Sequence, residues 1–206
     1  MKVLLINGSP HPAGCTYTAL SEVASALNKQ DIQTEILQIG TKPVSGCLGC
    51  GKCFETGRCI IDDVVNVFLA AAPEYDGFIF GSPVHYASAS GMLSSFMDRA
   101  FYGRRKLFSN KLGAAVVSCR RGGASSALDQ INKYFGISNM PVVSSQYWNM
   151  VHGNSPDEVR QDLEGLQTMR TLGNNMAWLL KCMDAGKNAG ISFPENEKLI
   201  PTNFIR

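Results

Sequence analysis

Residues 2–27 read KVLLINGSPHPAGCTYTALSEVASAL, and this stretch sets the class of fold. The run Val3–Ile6 has no polar residue, which predicts a strand that is covered on both faces. The segment Thr16–Asn28 has apolar residues at helical spacing. A strand, a loop and a helix in this order bring exposed backbone N–H groups and the positive end of the helix dipole to one point. We therefore interpret the loop Asn7–Thr18 as an anion-binding loop.

The chemistry of this loop points to a phosphate held by neutral donors. Hydroxyl groups are frequent in the loop, but no Lys or Arg lies between Asn7 and Thr18. Gly8 and Gly14 allow a close approach of the backbone. The loop matches neither the Walker motif nor GxGxxG. The alternative is an ordinary Gly/Pro turn that Thr16 caps.

Hydrophobic runs alternate with amphipathic segments along the rest of the chain, as in an α/β protein. This alternation predicts an open parallel sheet with helices on both sides and with the first, third and fourth strands at its centre. We see no linker, so we expect one domain over residues 1–206. The predicted strands are Val3–Ile6, Thr34–Gln38, Gly77–Gly81, Leu112–Cys119 and Val142–Ser145, and the predicted helices are Thr16–Asn28, Val64–Ala72, Gly91–Phe101, Ala124–Phe135 and Pro156–Met183.

Composition narrows the range of partners and compartments. Hydrophobic residues make up 45% of the 206 residues, which is enough for a sizeable core, and the net charge of +2 gives no reason to expect nucleic acid or a membrane surface. Met1 opens directly into a predicted strand rather than into a signal peptide. Four of the seven cysteines lie within thirteen residues, unlike a secreted disulfide framework. These features favour the reducing cytoplasm.

Small residues follow all three central strands. Ligands of such sheets bind beyond the carboxyl ends of the strands. The loop Gly81–Gly91 adds Tyr86, an aromatic side chain that can flank a planar ring, and the segment Ser118–Ala124 adds Arg120 and Arg121. We interpret the three loops as a bed for a flat, phosphorylated ligand; the alternative is three ordinary connections between strands and helices.

Three motifs resemble those of the NAD(P)H-dependent FMN reductases, a family of flavodoxin-like fold. They are NGSP followed by GxT (Asn7–Thr16), GSPVxY (Gly81–Tyr86), and Asp98-Arg99 at the end of the next helix. The resemblance covers Met1 to about Gly153 and implies a doubly wound five-stranded parallel sheet of order 2-1-3-4-5. It also implies FMN as cofactor and NAD(P)H as co-substrate. The cofactor-binding residues that it implies are Ser9, Pro10, Gly14, Cys15, Thr16 and Thr18 for the phosphate, Ser82, Pro83, Val84, His85, Tyr86 and Ser88 beside the isoalloxazine, and Ser118, Arg120, Gly122 and Gly123 at its pyrimidine side.

No acid–base pair is expected to be catalytic, because the flavin itself supplies the chemistry. Arg120 and Tyr86 are candidates for tuning it: Arg120, or the amides near Gly122, can stabilise negative charge on the reduced ring.

The segment after the second strand, residues 41–61, is rich in cysteine. Cys47, Cys50 and Cys53 follow a CxxCxxC spacing, and Cys59 comes after a Thr-Gly turn. Four thiolates can bind an iron–sulfur cluster or zinc. Zinc sites more often use two separated CxxC pairs, so we favour the cluster; zinc and reduced surface thiols are the alternatives.

This spacing resembles the compact motif of the iron–sulfur flavoproteins, a subgroup of the same fold that pairs FMN with a 4Fe-4S cluster. The resemblance implies that Cys47, Cys50, Cys53 and Cys59 are the ligands. It implies an oxidoreductase that passes electrons from NAD(P)H through FMN to a small acceptor of quinone, azo, nitro or flavin type, or to and from the cluster. The alternatives are an electron carrier between protein partners such as ferredoxin, and a plain flavin reductase with a structural zinc.

The tail, residues 186–206, carries apolar residues that need a burial site, on this subunit or on a neighbour. They are Ile191, Phe193, Pro194, Leu199, Ile200, Pro201 and Phe204. A neighbour would also cover the cysteine segment and the flavin face, which we expect at one edge of the sheet. We therefore expect a homodimer or homotetramer.

Overall fold

The structure, a computed structural model, describes residues 1–195, 197–198, 200 and 202–204. In chain order, strands and helices alternate as the sequence predicts. The strands are β1 Lys2–Asn7, β2 Gln33–Gln38, β3 Gly77–His85, β4 Ser88–Ala89, β5 Leu112–Cys119 and β6 Met150–His152. The helices are α1 Cys15–Asn28, α2 Lys52–Thr56, α3 Val64–Ala71, α4 Gly91–Arg104, α5 Ala124–Ile137, α6 Pro156–Gln161 and α7 Leu163–Asn188.

The sheet has the order β2-β1-β3-β5-β6, and these five strands are parallel. The two-residue β4 pairs antiparallel with the end of β3 and lies off this path. If the five parallel strands alone are numbered along the chain, their order is the predicted 2-1-3-4-5. The carboxyl ends of β1, β3 and β5 therefore lie side by side at the centre of one sheet edge.

The prediction of a fifth strand at Val142–Ser145 was wrong. Val142 makes an isolated bridge with Gly113, and the edge strand is β6, which pairs with the end of β5. The hydroxyl of Ser145 donates to the carbonyl of Tyr147 (2.7 Å) and accepts from its N–H (3.3 Å). Such side-chain bonds compete with a strand ladder and turn the chain away from the sheet.

The helices match their predicted bounds to within one residue, except that the last helix is broken and that α4, α5 and α7 end later, at Arg104, Ile137 and Asn188. The helix predicted over Pro156–Met183 is broken at Asp162, whose carboxylate caps α7 at the N–H of Gly165 (2.9 Å) and accepts the N–H of His152 (2.7 Å). Ser155 caps α6 as predicted. Helix α4 continues to Arg104, so the Asp98-Arg99 pair lies inside the helix and not at its end.

Helices cover both faces of the sheet. Helices α1, α6 and α7 pack on one face, and α3, α4 and α5 pack on the other. The second face has a cluster of buried aromatic rings that includes Phe68, Phe78 and Phe80. None of the helices within the described residues is both long and apolar enough to cross a membrane.

The chain leaves α7 through a defined turn, and the described residues of the tail beyond Gly190 are exposed. Gly190, with φ of 83°, and the N–H of Ile191, which donates to the Gly186 carbonyl (2.9 Å), end the helix in a Schellman motif. Ile191, Phe193, Ile200 and Phe204 are exposed by 54% or more, so these side chains are not buried on their own subunit. Leu199, Pro201 and the terminal Arg206 lie outside the described residues.

Candidate functional site

The loop after β1 is organised by a buried amide. The side chain of Asn7 accepts the N–H of Ser9 (3.2 Å) and donates to the side chain of Gln38 at the end of β2. The Ser9 hydroxyl accepts the N–H of His11 (3.1 Å) and so keeps its own proton for another acceptor. Helix α1 begins after Gly14, which has no side chain that could cap it. Its first N–H groups therefore point out of the helix end toward the loop.

Two residues that support this loop were missed in the sequence. The Gln38 amide donates to the Ser9 carbonyl (2.7 Å), and Gly40 lies so close beneath the loop that a Cβ atom there would be 2.0 Å from the same oxygen. A glycine two residues after a strand that ends in a polar residue is the signal that could have found them. The loop is thus held from β2 as well as from β1.

Hydrogen bonds join the three predicted loops at their bases. The hydroxyls of Thr16 and Ser118 lie 2.8 Å apart. The Gly8 N–H donates to the Gly81 carbonyl (2.9 Å), and the Ser90 hydroxyl donates to the Gly8 carbonyl (2.8 Å). The three loops therefore form one rim along the sheet edge.

The hairpin between β3 and β4 has a strained tip. Tyr86 and Ala87 have φ of 50° and 59°, between the paired residues His85 and Ser88. Left-handed backbone costs about 1–2 kcal/mol for each such residue. The ring of Tyr86 at this tip is fully exposed.

The third loop packs against this hairpin. Gly123, with φ of 84°, is so close to it that a Cβ there would lie 2.7 Å from the Cα of Ala87 and 3.2 Å from a methyl group of Val84. Arg120, three residues before Gly123 in the same loop, is exposed. The second and third loops therefore form one continuous wall.

The predicted FMN-site residues fall at different depths along this rim. The hydroxyl of Thr18 donates to the Gly14 carbonyl (3.1 Å), which directs its proton into the helix and away from the loop. Burial raises the pKa of the Cys15 thiol, which lies 3.7 Å from the Gly153 carbonyl. Ser9, Thr16, Ser82 and Ser118 are buried; Pro10, Gly14, Cys15, Thr18, Pro83, Val84 and Gly123 are half-buried; His85, Tyr86, Ser88, Arg120 and Gly122 are exposed.

The four clustered cysteines line one small cavity, beside Arg99 and Tyr102 of α4. Burial, and then the neighbouring thiols of Cys47, Cys50 and Cys59, raise the pKa of Cys53. Within the ranges that the structure describes, no three His, Cys, Asp or Glu side chains are arranged to hold a metal ion. The four thiols line this cavity from one continuous segment, residues 47–59.

Helix α4 anchors the cysteine segment. The Cys53 side chain packs on Gly103, where a Cβ would lie 2.4 Å from its sulfur, and Arg104 donates to the Gly57 carbonyl (2.8 Å). The rings of Phe54 and Tyr102 are 5.3 Å apart. Short helix α2, which the sequence analysis did not predict, presents Cys53 and Phe54 to α4.

The cysteine segment contacts α4 beyond its first turn. Helix α4 begins at the rim with Ser90 as its N-cap, and it contacts Cys59 through Arg99 and Cys53 through Gly103. At about 1.5 Å of rise per residue, these contacts are roughly 13–20 Å along the helix from the rim. The segment therefore runs along α4 after leaving β2, and the expectation that the cysteines and the flavin face share one sheet edge stays a prediction.

A family model and two curated relatives match this chain. Residues 1–155 match the family described as NADPH-dependent FMN reductase. An iron-sulfur flavoprotein of Methanocaldococcus jannaschii is 36% identical over 189 residues, which cover 88% of this chain and 98% of the relative. An iron-sulfur flavoprotein of Methanosarcina thermophila is 26% identical over 193 residues, which cover 91% of this chain and 100% of the relative.

Solved structures support the fold. A flavodoxin from the domain Archaea superposes with a TM-score of 0.61 at 15% identity, over 88% of this chain and 99% of that one. This similarity confirms the predicted flavodoxin-like fold.

Proposed function

Since the chain belongs to the NADPH-dependent FMN reductase family, we propose that it is an iron–sulfur flavoprotein that takes electrons from NAD(P)H through FMN and exchanges them with a 4Fe-4S cluster or a small acceptor. The observation that carries this proposal is the combination in one chain of the loop rim at β1, β3 and β5 with a cavity lined by four cysteines.

The first loop suits the phosphate of FMN. The uncapped start of α1 offers N–H groups and the positive end of its dipole, and the Ser9 hydroxyl keeps a proton to donate. The buried pair Thr16–Ser118 adds hydroxyls beneath. We assign the phosphate to this loop, with Asn7 and Gln38 as its supports.

The wall formed by the second and third loops suits the ring system. Pro83 and Val84 offer half-buried apolar surface, and Tyr86 at the hairpin tip can close over a planar ring. Bound FMN would supply hydride acceptance from NAD(P)H and electron release to an acceptor. Arg120 and the N–H groups near Gly122 would stabilise the negative charge that develops at the pyrimidine side.

The spacing of the four cysteines in the sequence favours a cluster over a single zinc ion. Zinc sites more often use two separated CxxC pairs, whereas Cys47, Cys50 and Cys53 form one compact CxxCxxC run that Cys59 follows. All four side chains line the same cavity. We assign Cys47, Cys50, Cys53 and Cys59 as its ligands.

The surface next to the cysteines favours a second candidate function, an electron carrier with protein partners. Phe54 and Tyr102 are exposed by 63% and 53%. Three cations, Arg104, Arg105 and Lys106, line the same groove as Cys53. An acidic one-electron carrier of the ferredoxin kind has the complementary charge.

Steady-state kinetics distinguish the two functions. FMN-loaded, anaerobically prepared protein is mixed with NADPH or NADH and with quinone, azo, nitro and flavin acceptors. Rapid oxidation of NAD(P)H with a small acceptor supports the enzyme. If electrons reach and leave the protein only through added ferredoxin, the carrier is the better description.

A further inference from the structure

The buried Arg99 of α4 uses its whole guanidinium on the cysteine segment and on Asp63, which follows that segment. Its side chain is 1% exposed. The two Nη atoms donate to both carboxylate oxygens of Asp63, to the Ile61 carbonyl (2.8 Å) and to the Ser45 carbonyl (3.4 Å). An arginine has five N–H bonds. These contacts account for four of them, and the fifth, on Nε, is directed to the Cys59 sulfur at 3.3 Å.

The charges at this point balance. Arg99 and Asp63 form a forked ion pair beneath Cys59, so the pair adds little net charge next to the sulfur. Asp63 also caps α3 by accepting the Val65 N–H (3.0 Å). The Nε–H bond to sulfur therefore depends on a guanidinium that the carboxylate holds in one orientation.

We propose that Arg99 is a positioning residue that sets the reduction potential of the cluster through its Nε–H bond to Cys59, with Asp63 as the counter-charge that limits this effect. The inference rests on the proposed function, in which Cys59 is a cluster ligand. Reduction adds negative charge to the cluster sulfurs, and hydrogen bonds to these sulfurs stabilise that charge. Arg99 thus raises the potential, and Asp63 lowers it.

The experiment measures the midpoint potential of the cluster by an EPR-monitored titration of anaerobic, FMN-loaded protein. Three variants separate the effect of charge on the potential from a structural effect of the ion pair. R99Q removes the cation and leaves Asp63 unpaired, D63N removes the anion but keeps an oxygen that can cap α3, and R99K keeps the charge without Nε–H. R104Q is the matched control, because Arg104 also holds the segment but bonds to the Gly57 carbonyl and, among the described residues, to no sulfur.

We expect a shift to more negative potential in R99Q, a smaller shift of the same sign in R99K, and a shift to more positive potential in D63N. R104Q should stay near the wild type. R99Q and D63N break the same ion pair, so a purely structural role would move both in one direction or not at all, and either result overturns the inference.

The iron and FMN contents of each variant are also measured, because they distinguish a failure of this inference from a failure of the proposed function. Loss of iron from all three variants, with FMN retained, would assign the pair to folding of the segment and overturn the tuning role. Wild-type protein that binds FMN but takes up no iron would overturn the proposed cluster and this inference together. Iron-loaded variants with unchanged potentials would overturn this inference alone.

Discussion

The hydroxyl oxygens of Thr16 and Ser118 lie 2.8 Å apart, which joins the start of α1 to the end of β5 across 102 positions of the chain. Both side chains are buried, directly beneath the loop assigned to the phosphate of FMN. This bond therefore couples the first loop of the rim to the third.

Replacing Thr16 with Val keeps the shape of the side chain and removes the hydroxyl. A hydrogen bond to a charged group contributes about 1.5–3 kcal/mol, so we expect FMN to bind at least about tenfold more weakly. Ser21→Ala, on the same helix, is the control, because the buried Ser21 hydroxyl has no hydrogen-bond partner among the described residues. Fluorescence titration with FMN gives both affinities; equal losses in the two variants would contradict the role of Thr16.

Replacing Gly40 with Ala should displace the phosphate loop. A Cβ at this position would lie 2.0 Å from the Ser9 carbonyl oxygen, and overpacking costs about 1–3 kcal/mol. We expect at least about tenfold weaker FMN binding with little change in secondary structure. Gly136→Ala, in a helix where the new Cβ would meet no atom within 4 Å, should bind FMN normally. Normal FMN affinity in the Gly40 variant would contradict the inference that the end of β2 supports the phosphate loop.

Arg120 and Arg121 are adjacent exposed cations, and only Arg120 is assigned to the flavin site. Arg120→Gln should lower the reduction potential of bound FMN and slow its reduction by NAD(P)H, because a positive charge near the pyrimidine side is lost. Arg121→Gln should change both less. Stopped-flow reduction and a flavin potential titration measure the effect, and equal behaviour of the two variants would assign this stabilisation to the backbone amides instead.

The exposed tail predicts self-association. Phe193, Ile200 and Phe204 present large apolar side chains to solvent, and burying such area contributes about 25 cal/mol per Å². We expect full-length protein to be at least dimeric by light scattering at micromolar concentration. A chain that ends after Ser192, which keeps the Schellman motif, should dissociate more readily. Monomeric full-length protein would contradict the association, whereas an unchanged oligomer in the shortened chain would remove the tail from its explanation.

Local patterns predicted most of the fold, and long-range contacts explain where they did not. The strand Leu112–Cys119 was predicted correctly because a mostly apolar run suits a strand that helices cover on both faces of a parallel sheet. The helix break at Asp162 depends on an acceptor for the N–H of His152, and no periodicity reveals that need.

The candidate site was also predictable only where local sequence patterns decide its structure. Its loops were predictable because each follows a central strand, and the cysteine spacing was visible directly. The contributions of Gln38, Gly40 and Arg99 were missed in the sequence, since each acts on a segment that is distant in sequence and that only packing brings near.

The most direct measurement is the cofactor content of the anaerobically purified protein, from its absorption spectrum, metal analysis and mass spectrometry of the released flavin. We expect one FMN and about four irons per chain. Cys53→Ala should lose the iron and keep FMN, since Cys53 lines the cysteine cavity while FMN is assigned to the rim. FAD or no flavin under saturating FMN, or stoichiometric zinc in protein produced with ample iron, would contradict the proposed function.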